Sequence, residues 1–111
     1  MRVLMCKQGE PATVVEVCNE LAELQAIVDG YIEAVPFFRN TVLICNEEAK
    51  LRDDLKPNRF VTLNGEIDLI KGDFFVCGSN GEEFTDLPRI AGPLIKAQLS
   101  EPHFDKNGEP L

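Results

Sequence analysis

Apolar and polar positions divide the chain into short strands and a few helical stretches. Val15 and Val17 alternate with Glu16, so residues 12–17 read as a strand with one wet face. Residues 2–7 read as its partner across the turn-forming Gln8-Gly9-Glu10-Pro11. Leu21, Leu24, Ile27 and Val28 then recur at helical spacing, with Glu20, Glu23 and Gln25 off that stripe. Asn19 is placed to cap this helix, and Gly30 is placed to end it as a left-handed residue. Tyr31–Val35 and Thr41–Cys45 are strand-like runs separated by Pro36 and a short connection, which predicts a hairpin. Asn46 predicts the cap of a second, shorter helix over residues 47–54, which must stop before Pro57.

Further along, Phe60–Leu63 and Glu66–Ile70 flank Asn64-Gly65, the strongest hairpin signal in the chain. Asp73–Cys77 is apolar enough to be a central strand. Gly78-Ser79-Asn80-Gly81 predicts a plain turn: it lacks the lysine of a phosphate-binding loop, and Glu82 and Glu83 follow it. Thr85 predicts the cap of a last helical region, with Leu87, Ile90, Leu94, Ile95 and Leu99 as its apolar stripe. Gly92-Pro93 interrupts that region, and Pro93–Leu99 reads as a separate final helix. The order of elements predicts an α+β domain, a mostly antiparallel sheet with two to three helices packed on one face. That single domain covers residues 1–102, and residues 103–111, rich in turn formers, are expected to fray.

Composition changes this picture little. With 111 residues, 44% of them hydrophobic, the chain can bury one core without metals or disulfides. Charge changes it more. Eleven Lys and Arg against 19 Asp and Glu give a formal charge of −8, which repels a phosphate backbone, so no direct nucleic-acid binding is expected. Ordinary solubility explains the acidic excess more simply than imitation of nucleic acid does. Cysteines at 6, 18, 45 and 77 have no Cys-x-x-Cys spacing; Cys6, Cys45 and Cys77 lie in apolar runs and Cys18 is expected to be more exposed. The chain starts without a signal-peptide pattern and no apolar run is long enough for a bilayer, so a cytoplasmic location without membrane association is expected.

Candidate chemistry concentrates in Asn46-Glu47-Glu48-Ala49-Lys50-Leu51 and Lys56-Pro57-Asn58-Arg59. One reading is structural: a capped helix start, with Arg59 closing back onto Glu47 or Glu48 as a forked ion pair. The other makes Lys50, Asn58 and Arg59 a polar pocket for an anion or nucleotide-like ligand, with Glu47 selecting a hydroxyl or amine. No catalytic residue is assigned, because the only histidine, His103, lies in the expected tail, away from any serine or cysteine nucleophile. Neither a metal site nor a cofactor is expected.

The run Leu24–Pro36 resembles the opening of an uncharacterised family, the domain of unknown function 3846. Asn46–Leu51 and Lys56–Arg59 are similar to its central "NEEGKL" and "PPNR", with Ala49 and Lys56 in place of a glycine and a proline. Gly72–Gly78 and Glu82–Leu87 resemble its later "GD" strand and its "EEFTSL" segment, so the resemblance covers residues 16–99. It implies a small protein of bacteria, especially gut Firmicutes, and of their phages and mobile elements, and it attaches no activity. The expectation is then a non-catalytic accessory or regulatory protein of a phage or mobile element, monomeric or homodimeric, acting on an unknown protein partner. The alternative is a protein that binds or sequesters a small anion or nucleotide-like molecule; an acidic nucleic-acid mimic comes third.

Overall fold

A computed structural model describes residues 1–111. Strand β1 (Arg2–Cys6) pairs with β2 (Thr13–Glu16), helix α1 (Leu21–Val28) follows, and β3 (Ile32–Pro36) and β4 (Thr41–Asn46) form the expected hairpin. β5 (Pro57–Leu63) and β6 (Glu66–Lys71) form the second, turning on Asn64 and Gly65 at φ 52° and 80°. β7 (Phe74–Ser79), the short β8 (Phe84–Thr85) and helix α2 (Gly92–Leu99) complete the order. Every pairing is antiparallel. The main sheet runs β2-β1-β7-β4-β3 with β8 beside β7, while β5 and β6 stand apart as a two-stranded sheet. The protein is thus of the α+β class, a mostly antiparallel sheet with two α-helices.

The core has two sides. Leu4, Cys6, Leu43, Cys45, Phe74 and Val76 face one side, covered by Val61, Leu63 and Ile70 of the β5–β6 hairpin and by Ile95 and Leu99 of α2. Val3, Met5, Ile44, Phe75 and Cys77 face the other, covered by Leu24 and Val28 of α1. The expectation that the helices share one face is therefore corrected: they lie on opposite faces. Strands β1, β4 and β7 are unbroken apolar runs, so each presents apolar side chains to both sides and each side needs cover.

Three local expectations change as well. Residues 47–54 form only a 3-10 turn, Ala49–Leu51, with Arg52 already extended. That stretch has no apolar stripe to bury, since Leu51 is 86% exposed, and nothing offsets the cost of nucleating a helix. Residues 85–91 are not helical, because Thr85 lies in β8 and the next residues make extended contacts: Asp86 Oδ1 accepts the Arg2 N–H and Leu87 N–H donates to the Arg2 carbonyl. Leu87, Ile95 and Leu99 are buried, whereas Ile90 and Leu94 are 92% and 67% exposed. At the end of α1 the left-handed residue is Asp29, with φ 61°, and Asn19 donates to the Phe84 carbonyl instead of capping the helix.

Residues 103–111, expected to fray, fold back on β5. His103 Nδ1 accepts the Phe60 N–H at 2.9 Å, Phe104 is buried and bridges to Pro110, and Leu111 N–H donates to the His103 carbonyl. The apolar pair Phe60 and Phe104, with ring centroids 5.3 Å apart, supplies the attachment that the turn-rich composition conceals. No helix is long and apolar enough to cross a membrane.

Candidate functional site

The four residues singled out in the sequence separate into two places. Pairing between β5 and β6 slips by one position between Pro57 and Arg59. Such a bulge breaks the alternation of faces, so Asn58 and its neighbour Arg59 both point inward. Each is 0% exposed. Asn58 Nδ2 donates to the carbonyls of Cys6 and Gly72 at 2.9 and 2.8 Å, tying β5 to the end of β1 and to the turn before β7. Arg59 Nη1 donates to Asn58 Oδ1 at 2.6 Å, Nε to the Leu99 carbonyl at 2.8 Å and Nη2 to the Glu10 carbonyl at 2.7 Å. Arg59 is a clamp, then, but it grips α2 and the β1–β2 turn through backbone oxygens, not Glu47 or Glu48. Burial lowers its pKa, opposed by the Cys6 and Glu101 charges. No buried side-chain nitrogen or oxygen lacks a partner.

Lys50 and Glu47 lie elsewhere, on the wall of a cleft of about 380 Å³ between the β3–β4 hairpin and β6. Its floor is apolar, with Val35, Leu63 and Ile70; its walls carry Glu33, Glu47, Glu48 and Asp68 against Lys50 and Lys71. Both lysines are engaged. Lys50 Nζ donates to Asp68 Oδ1 at 2.9 Å, a contact that raises its pKa, and Lys71 Nζ donates to the Arg52 carbonyl at 2.6 Å. Glu33 accepts a weak hydrogen bond from the Cys45 thiol at 3.7 Å. Burial pushes that thiol up to about 12, and the Glu33 carboxylate adds to the effect, so Cys45 is a poor nucleophile. What the cleft offers is a negative wall over an apolar floor.

Lys50 and Glu47, grouped in the sequence with Asn58 and Arg59, stand here with Glu33 and Asp68 instead. Glu33 lies directly opposite Cys45 in the β3–β4 register, on the face that carries the cleft. The hairpin pattern alone was enough to place it. Asp68 arrives from a separate sheet, and no local signal places it. No group of three or more His, Cys, Asp or Glu side chains converges as a metal site requires.

Residues 1–100 match the model of one protein family, described as Domain of unknown function (DUF3846). Neither a curated protein nor a solved structure matches the chain.

Proposed function

The chain belongs to the DUF3846 family, and we propose that it is a non-catalytic accessory or regulatory protein of a phage or mobile element, acting by contact with a protein partner. What carries this reading is the cleft of Glu33, Glu47, Glu48 and Asp68 over Val35, Leu63 and Ile70. Leu51, which also lines it, is largely exposed. Beside it runs β3, which pairs only with β4 and leaves its other edge free. An extended basic segment of a partner fits such a place: lysines or arginines meet the carboxylates, and apolar neighbours meet the floor. The alternative of an anion held by Lys50, Asn58 and Arg59 loses support, because two of the three are inside the core and the third is paired.

Native mass spectrometry of the protein purified from its host tests this. A partner retained by the wild type and lost from a Glu33→Lys, Glu47→Lys variant is the expected result; both side chains are exposed, so folding is preserved. A chain that comes off alone, or a partner held equally by the variant, overturns it.

A further inference from the structure

In a chain with 11 basic and 19 acidic residues, one concavity is purely basic. It has a volume of about 390 Å³ and lies between the start of β1, β2 and the first turn of α2. Arg2, Arg89 and Lys96 line it, the rest of the wall is Val14, Leu87, Pro88, Gly92 and Pro93, and no carboxylate belongs to it. The molecule's ion pairs join Met1, Lys50 and Arg52 to Glu16, Asp68, Asp29 and Asp54, so none of them neutralises these three cations.

Glu16 and Asp86 flank Arg2, and neither forms an ion pair with its guanidinium. Glu16 stands opposite Arg2 in the β1–β2 register but reaches the Met1 ammonium at 3.2 Å. Asp86 accepts the backbone N–H of Arg2 at 2.7 Å. The Arg2 guanidinium is in turn held over the concavity by donating from Nη2 to the Leu87 carbonyl. None of the three cations forms an ion pair, and an anion among them removes the mutual repulsion that Asp86, on the Arg2 backbone, offsets only in part. Two guanidinium forks and one ammonium suit the many oxygens of a phosphoryl group, and the proline-lined wall suits an uncharged body attached to it.

We propose that the concavity of Arg2, Arg89 and Lys96 binds the phosphate or pyrophosphate group of a small phosphorylated molecule. It shares no residue with the acidic cleft, so it stands or falls separately from the protein-contact reading.

The test is a titration with inorganic pyrophosphate at constant ionic strength, followed by backbone amide chemical shifts and by melting temperature. Saturable shifts at Arg89, Gly92, Leu94 and Lys96, with a raised Tm, are expected. Arg89→Glu with Lys96→Glu, both at exposed side chains, is expected to weaken binding about tenfold or more. Lys7→Glu with Lys106→Glu makes the same change of net charge outside the concavity and is expected to leave binding intact. Shifts that never saturate, or equal losses in the two double variants, overturn the proposal.

Discussion

Asn58 and Arg59 are consecutive residues of one strand and still face the same way, because the bulge at their position turns the backbone. Arg59 has no carboxylate partner; it is satisfied by two main-chain oxygens and one amide. Truncation therefore leaves a cavity and three unmet acceptors together. Arg59→Ala is expected to cost about 3–5 kcal/mol in a denaturant titration. Arg59→Met, which refills much of the volume and buries no charge, is expected to cost less. An Arg59→Ala protein with unchanged stability would show that the clamp is absent. In the sequence, a polar pair after a proline looks like ligand chemistry because charged residues are so seldom wholly buried. The oxygens that satisfy Arg59 belong to Glu10 and Leu99, near the two ends of the chain, where no local pattern points to them.

Among the elements, the hairpins were legible and the connections between them were not. Asn64-Gly65 fixes its turn by its own backbone preference, and the alternating runs fix strands by burial. The apolar runs of β1, β4 and β7 also carried the news that both faces of the sheet are covered, which the expectation of helices on one face overlooked. The segment 85–91 followed the opposite logic. Its helix-start residues are recruited by Arg2, a partner remote in sequence, and tertiary pairing overrides local propensity. Gly78 records this recruitment. A Cβ there would lie 2.3 Å from the Asp86 carbonyl oxygen and 2.4 Å from Thr85 Oγ1, so β8 can approach β7 only over a glycine. Gly78→Ala is expected to push β8 away and to cost about 1–3 kcal/mol, measured by denaturation. Faster amide exchange at Thr85 and Leu87, with β4 protected as before, would locate the damage.

At the scale of the whole molecule, three of the four cysteines sit inside the sheet and one, Cys18, lies at the surface. Burial pushes Cys6, Cys45 and Cys77 from 9.0 up to about 12. A pKa raised by folding means that the unfolded chain gives up these protons first. Stability from this source is complete below pH 9 and declines as pH rises toward 12, by about 1 kcal/mol per thiol per pH unit. Melting temperature is expected to fall steeply across that window, and substitution of Cys77 by alanine is expected to make the fall shallower. A thiol reagent applied at neutral pH is expected to modify Cys18 alone until denaturant is added, as intact mass will show. Strand order was the part of the molecule least visible in the sequence, because alternation tells which face a residue takes and not which strand lies beside it. That order matters most at β7, which pairs with β1 through Leu4 and Val76 and with β4 through Leu43 and Val76. The β1–β2 and β3–β4 hairpins are thus halves of a sheet whose middle is still missing. During synthesis on the ribosome neither half can close its core until β7 has emerged. Through that interval the β1 and β4 edges stand open side by side, and a nascent chain of this kind depends on speed, or on a chaperone, to keep them from meeting the wrong strand.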